Sequence, residues 1–331
     1  MKTPIRYAGG KSKAYKTITP LIPADVKKIV SPFVGGGSLE VKWATENGID
    51  VIGFDIFDIL INYWHHQLKK PQQIYNILAQ MQPSKDHYKQ IKEELMCVDV
   101  VQNIFKGLKT KYYNRNSVSM NKDKLAAYYF YNHNLSYGPM FLGWYSSLFN
   151  DHKKYIAAIE RVRDFKAPTL QVEEGSFDGV IDSHKNEFLY LDPPYFLEKD
   201  GDNKMLKGMY PNCNFAIHHN SFDHKKLRDL LHSHNGRFIM SYNNCETIRE
   251  WYKDFRLEYP SWQYSYANGE RRIGKNKKNN ISEPLKEKAL SLKNKSEMWA
   301  LHDVEESEKY MSQYHKIWHT KESHEILIIK D

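Results

Sequence analysis

Phe188-Leu189-Tyr190-Leu191-Asp192-Pro193-Pro194-Tyr195 is the stretch on which the reading of this chain turns. Four apolar residues in a row read as a short strand of the buried type. The acid and the two prolines stop it abruptly, because proline has no N–H to give a sheet and fixes its own φ. A strand stopped in this way turns its last side chains toward a cleft. The Pro193 carbonyl is left without a ladder partner yet rigidly aimed. Asp192 can accept from the same planar donor, and Tyr195 offers a flat face for stacking. Taken alone, the stretch is also read as a tight turn with an incidental tyrosine.

Upstream, Lys28 to Val34 reads as a strand, Gly35-Gly36-Gly37-Ser38 as a turn, and the segment carrying Leu39, Val41, Trp43 and Ala44 as a helix. Strand, glycine-rich turn and helix open a doubly wound nucleotide site. The spacing is neither G-x-G-x-x-G nor a P-loop, which disfavours dinucleotide and ATP readings. A second strand, Asp50 to Ile56, carries Asp55, placed for a ribose diol; capping the helix that follows is its other use. Before both lies Tyr7-Ala8-Gly9-Gly10-Lys11, read as an anion- or cofactor-facing loop opening a helix or as an ordinary Gly-Gly turn.

From Pro71 to about His152 the pattern turns helical, over Gln72 to Met81, Ser84 to Met96 and from Leu125 into a glycine-containing hairpin ending near Gly143. Lys109, Lys111 and Arg115 stand there with Tyr112 and Tyr113 interleaved, the look of a nucleic-acid face. The α/β alternation resumes with a helix Lys153 to Phe165, a strand Leu170 to Val172, the strand into Asp192, a long polar loop from Phe196 to His219, and a helix capped by Ser221. A strand Arg237 to Ser241, a helix Glu246 to Asp254 and a terminal strand Glu325 to Ile329 complete it. Between the last two lies a basic segment with Arg271, Arg272, Lys275, Lys277, Lys278, Lys286, Lys288, Lys293 and Lys295, read as a solvated loop or a phosphate-contacting flap. The expected organisation is a catalytic domain from 1–70 and 153–331 with an inserted module at 71–152.

A chain of 331 residues can bury a substantial core. Its net charge of +8 favours a polyanionic partner, and the 23 tyrosines supply stacking surface or core. There is no apolar run near the roughly 20 residues of a membrane span, and no apolar leader follows Met1. Cys97, Cys213 and Cys245 form neither a disulfide framework nor a zinc spacing. A cytoplasmic protein without metal or membrane, monomeric or weakly dimeric, is expected.

Tyr7 to Lys11, Pro32 to Ser38, Asp55, Ser176-Phe177 and Asp192 to Tyr195, in this order, resemble the Dam-type DNA adenine methyltransferases. The resemblance implies a Rossmann-like α/β methyltransferase domain dependent on S-adenosyl-L-methionine, with an inserted, mainly helical target-recognition module. It implies that Tyr7, Gly9, Gly10 and Lys11 contact the methionine part of the cofactor, that Pro32, Phe33, Gly35 and Gly37 pass beneath it, that Asp55 binds the ribose and that Phe177 lies near the adenine. Asp192, Pro193, Pro194 and Tyr195 would hold a flipped adenine of double-stranded DNA for direct methyl transfer to its amino nitrogen. Lys109, Lys111, Arg115, Asn132, Asn134, Tyr137, Arg271, Arg272, Lys277 and Lys278 would contact DNA. In the Dam relatives an arginine of the hairpin reads a guanine of GATC, but no Lys or Arg occurs here between Lys124 and Lys153, so GATC specificity does not carry over. Asn132 and Asn134 could read adenine or cap the preceding helix. Other readings are an RNA or protein-amide methyltransferase and a catalytically silent DNA-binding relative.

Overall fold

The computed structural model describes residues 1–105, 117–196, 222–260, 283–299, 306–311 and 325–331. The strands are β1 (Lys28–Ser31), β2 (Asp50–Asp55), β3 (Ser136–Tyr137), β4 (Trp144–Tyr145), β5 (Leu170–Glu174), β6 (Leu189–Leu191), β7 (Phe238–Asn243), β8 (Arg256–Glu258) and β9 (Glu325–Lys330). All but β3 and β4 join one sheet in the order β5-β2-β1-β6-β7-β9-β8. Neighbours from β5 to β7 run parallel, and β8 and β9 pair antiparallel. The unbroken apolar runs explain the arrangement: β6 is buried throughout and β7 and β9 are buried in all but their last residue, as strands covered on both faces must be. The mixed α/β fold with a mostly parallel central sheet is the Rossmann-like class expected.

The sequence order of the strands reverses between β1 and β6. At such a switch point the connections leave the two strands in opposite directions and open a crevice beyond their carboxyl ends. The residues that follow β1 are Pro32 to Gly37, and those that follow β6 are Asp192 to Tyr195, so the two motifs face one crevice.

The described helices are α1 (Tyr15–Ile18), α2 (Glu40–Glu46), α3 (Asp58–Lys69), α4 (Pro71–Ala79), α5 (Lys85–Met96), α6 (Asp99–Phe105), α7 (Lys122–Leu135), α8 (His152–Arg163), α9 (Phe177–Ser183), α10 (His224–Ser233), α11 (Glu246–Trp251) and α12 (Glu283–Trp299). Ser84 caps α5 and Asn121 caps α7 through side-chain oxygens. The cap of α10 is Asp223, whose carboxylate accepts from Lys226 N at 2.9 Å; Ser221, expected there, lies outside the described residues. In α7 every residue from Leu125 to Leu135 is buried, so the aromatic run Tyr128 to Tyr131 is core. It packs on α3 and α5 through Tyr63 against Phe130 and Tyr88 against Tyr131.

The chain divides into two compact units, Met1–Tyr259 with Ile326–Asp331, and Pro260–Glu325. In the second, Lys286, Lys288, Lys293 and Lys295 lie on α12, which corrects the expectation of a loop. The reason is local: Pro284 sits in the first turn, where it has no intrahelical N–H to lose, and the residues after it are good helix formers without glycine. Ser296 and Ser307 exchange hydroxyl-to-carbonyl bonds of 2.9 Å within this unit. No described helix is long and apolar enough to cross a membrane.

Candidate active site at the switch point

β6 ends where its sequence requires. Pro193 and Pro194 cannot extend the ladder, and the chain leaves the sheet at Asp192. Asp192 Oδ1 accepts from Lys11 Nζ at 2.7 Å and from Ser241 Oγ at 3.1 Å. Lys11 is 4% exposed, and its ammonium also lies 5.5 Å from the centroid of the Tyr195 ring. Lys11 is the buried member of the pair and Asp192 is half-buried, so removing the carboxylate would strand a buried ammonium. Among the described residues nothing donates to Asp192 Oδ2 or to the Pro193 carbonyl. Two successive residues thus each keep an acceptor with no described donor, just before Tyr195 in the chain.

The loop that brings Lys11 is built by its neighbours. Lys11 N donates to Ser38 Oγ at 2.8 Å, and Gly10 N to the Tyr7 carbonyl at 3.3 Å. Gly35 and Gly37 have φ of +46° and +60°, the left-handed region that glycine enters without strain. A Cβ on Gly36 would overlap Tyr7, so the glycine turn makes room for a side chain of the protein itself as well as for any ligand. Asp55 ends β2 with Oδ2 accepting from Gly35 N at 3.1 Å and Oδ1 from Phe57 N at 3.0 Å. It therefore holds the glycine turn and ties down Phe57, the residue from which α3 starts.

Phe33 after β1 and Phe177 at the start of α9 stack at 5.8 Å, and Phe222 meets both, 5.6 Å from Phe33 and 4.9 Å from Phe177. All three are half-buried, forming an apolar aromatic surface beside the crevice. Glu40 of α2 is buried and accepts from Ser31 Oγ, at the end of β1, at 2.8 Å. Burial pushes its carboxyl up to about 7; its hydrogen bonds oppose that, and the negative charge of Asp192 adds to it.

The N-terminal loop also meets the hairpin region. Tyr7 stacks on His133 of α7 at 5.3 Å, and Arg6 N and Nη1 donate to Asn134 Oδ1 and to its carbonyl, both at 2.8 Å. Burial and the charge of Arg6 lower the His133 pKa to about 3, and neither ring nitrogen has a partner. Asn132 and Asn134 are 0% and 1% exposed, so neither is presented at a DNA-facing surface as expected. Their oxygens have internal work: Asn132 Oδ1 accepts from Leu142 N at 2.6 Å, pinning a non-glycine residue with φ of +53°. Of the three hairpin candidates only Tyr137 is exposed, at 55%, and its cross-strand partner Trp144, which the sequence did not single out, is exposed at 54%.

Tyr7, Gly9, Gly10, Lys11, Pro32, Phe33, Gly35, Gly37, Asp55 and Asp192 to Tyr195 belong to loops and strand ends of the first unit, and Phe177 opens α9 in the same unit. Lys109, Lys111, Arg115, Arg271, Arg272, Lys277 and Lys278 lie outside the described residues. Sequence reading missed Ser241, Asn243, Glu40, Phe222 and His133. For Ser241 and Asn243 the available signal was two polar residues at alternate positions of an otherwise apolar strand. Among the described residues no group of His, Cys, Asp or Glu could hold a metal ion.

Residues 7–266 match the family model for D12 class N6 adenine-specific DNA methyltransferase. The chain is also similar to the type II methyltransferase M.FokI of Planomicrobium okeanokoites, 24% identical over 285 residues, and to the modification methylase StsI of Streptococcus sanguinis, 23% identical over 285 residues. Each match covers 81% of this chain and 40% of the relative, so the chain corresponds to less than half the length of these two proteins. With the match to the family model extending from the Tyr7 loop past the strand-end motif, the chain belongs to the D12 class N6 adenine-specific DNA methyltransferase family.

Proposed function

We propose that this protein is a site-specific DNA adenine methyltransferase, moving the methyl group of S-adenosyl-L-methionine to the exocyclic amino nitrogen of an adenine turned out of duplex DNA. The observation that carries the reading is the pair of open acceptors at the end of β6, Asp192 Oδ2 and the Pro193 carbonyl, beside Tyr195. The amino nitrogen of adenine shares its lone pair with the ring and is a poor nucleophile. Two acceptors that hold its two N–H groups favour a more tetrahedral nitrogen with the lone pair free, and they do so best in the transition state. Asp192 is already oriented through its other oxygen by Lys11 and Ser241, so little reorganisation accompanies base binding. Once methylated the nitrogen is strongly acidic, and the hydrogen bond to Asp192 gives its proton a path away. Stacking on Tyr195 would offset part of the few kcal/mol that turning the base out costs.

The residues across the crevice fit the cofactor. Asp55 is a carboxylate at a strand end beside a glycine turn, Phe33 and Phe177 give a flat apolar surface for a purine, and Lys11 brings a cation for a carboxylate. An ammonium has three N–H donors, so Lys11 can serve Asp192 and a cofactor carboxylate together. When bound, the cofactor supplies an electrophilic methyl group on a sulfonium.

Segment 71–152 is the proposed recognition module within a catalytic domain of 1–70 and 153–331. The exposed aromatic pair Tyr137 and Trp144 supports contact with nucleic acid through stacking, in place of the arginine the hairpin lacks. The net charge of +8 supports a polyanionic partner, and the basic residues outside the described segments are its proposed phosphate contacts. Both relatives carry methylase names, one of them type II, which supports a modification enzyme.

The test is to express the protein in cells whose DNA lacks N6-methyladenine and to map methylated adenines by sequencing. A recurrent motif carrying N6-methyladenine, absent with Asp192→Ala, is expected. DNA left free of the modification by the wild-type protein sinks the reading.

A further inference from the structure

We infer that Ser241 and Asn243 of β7 are positioning residues for the transfer step: Ser241 fixes the orientation of the Asp192 carboxylate toward the amine, and Asn243 fixes the backbone turn that carries Asp192 and the Pro193 carbonyl. The inference rests on the proposed methyl transfer and deepens it, since neither residue lies in the strand-end motif or in the cofactor loops.

The register explains why these two positions matter. β6 and β7 pair in parallel with Leu189 opposite Phe238, Tyr190 opposite Ile239 and Leu191 opposite Met240. Continued by one residue, the same register sets Asp192 beside Ser241. The ladder cannot continue, because the next two residues of the β6 side are prolines. Side chains of β7 replace the missing ladder bonds. Residues 241 and 243 point to the same face of the strand. Ser241 Oγ donates to Asp192 Oδ1 at 3.1 Å, and Asn243 makes a reciprocal pair with the backbone of Phe196, whose N–H donates to Oδ1 at 2.8 Å while Nδ2 donates to its carbonyl at 2.7 Å. The two ends of the turn Asp192 to Phe196 are thereby tied to one strand.

The direction of the hydrogen bonds matters for the chemistry. Ser241 is 0% exposed, and its hydroxyl has one hydrogen, which goes to Asp192. The contact of 3.3 Å between Tyr190 OH and Ser241 Oγ then has the tyrosine as donor. The chain from Tyr190 through Ser241 to Asp192 Oδ1, with Lys11 on the same oxygen, leaves Oδ2 as the oxygen that faces the crevice. Without Ser241 only Lys11 anchors that oxygen, so the plane of the carboxylate is free to turn and its second oxygen is no longer held toward the crevice.

The test uses the full chain, tritiated S-adenosyl-L-methionine and a duplex oligonucleotide carrying the mapped site. Ser241→Ala is expected to lower kcat about 10- to 100-fold, the range for a hydrogen bond to a charged group, with KM for DNA changed less than about threefold, because DNA affinity comes chiefly from the phosphates. Ser241→Thr keeps the hydroxyl and should stay within about fivefold of wild type, while Ser241→Cys keeps the volume with a poor donor and should fall with Ser241→Ala. Asn243→Ala should lower kcat about tenfold through the loosened turn. If Ser241→Ala does not fold, the Thr and Cys variants decide. A kcat within twofold of wild type for Ser241→Ala or for Ser241→Cys overturns the role of Ser241, as do equal losses in the Thr and Cys variants. An unchanged Asn243→Ala overturns the role of Asn243. A wild-type protein that transfers nothing overturns the proposed function, and this inference with it.

Discussion

The turn after β6 and the hairpin after α7 are built on opposite plans. In the turn both ends are engaged, Asp192 by Lys11 and Ser241 and Phe196 by Asn243, while among the described residues Asp192 Oδ2 and the Pro193 carbonyl have no donor. In the hairpin the outward face is aromatic, Tyr137 and Trp144, while behind it His133, Asn132 and Asn134 each keep a buried nitrogen without a partner. Under the proposed function, groups that must be in place before a base arrives are held by the sheet. Groups that would meet a variable partner are carried on a two-residue strand pair, where a side chain can change without moving a strand end. The two regions also hold buried groups of opposite kind: the Glu40 carboxyl, coupled to the charge of Asp192, has its pKa pushed up to about 7, and the His133 imidazole has its pKa lowered to about 3.

The sharpest division between them is kinetic. Asp192→Ala should reduce methyl transfer about a thousandfold or more, because an acceptor aimed at the reacting nitrogen is lost, while leaving most of the DNA affinity. Transfer assays with parallel filter binding would show this, and equal losses in both would erase the contrast. Next in size is Glu40→Gln. A carboxyl raised in the fold binds protons more tightly there than in the unfolded chain, so its contribution is complete below about pH 4.5 and declines as pH rises through about 7. The wild type should lose about 3 kcal/mol between pH 4.5 and 8 from this group, and Glu40→Gln should flatten that slope in urea titrations across the range.

The hairpin region should titrate the other way. His133 stays neutral in the fold while the unfolded chain takes up protons, so its contribution is complete above about pH 6.5 and is lost as pH falls toward 3. At pH 5 the loss is about 2 kcal/mol, and His133→Gln should remove it; an acid limb unchanged in that variant would show that other groups set it. Smallest is the surface itself. Tyr137→Ala and Trp144→Ala should each weaken DNA binding about tenfold, the scale of one base stacked on an aromatic ring, with melting temperature unchanged. A variant that lost kcat but kept affinity would move the hairpin into the chemistry and break the division.

The same division governs what was readable beforehand. The strand stop at Pro193, the glycine turn at Gly35 to Gly37 and the acid at Asp55 follow from backbone rules that act locally, and the structure brings all three to the switch point. Ser241 was not legible, because a serine in an apolar strand has a meaning only once its register with β6 is known. Asn132 and Asn134 misled for a related reason: an asparagine near a helix end favours a surface, and only tertiary packing shows that one pins Leu142 and the other Arg6. In the basic segment charge suggested a loop, whereas helix propensity over Glu283–Trp299 was the stronger local term.

The ion pair between Lys11 and Asp192 joins residues 181 apart in the chain, and Ser241 reaches back 49 residues to the same oxygen. Contacts of such long range form late, since the loops they close must first give up their freedom. On a ribosome, the strand bearing Asp192 would emerge well before the strand that steadies it. No partial chain ending before Ser241 could hold the carboxylate as the finished protein does. The proposed transfer would therefore gain its full geometry only in a late step of folding, when β7 docks against β6.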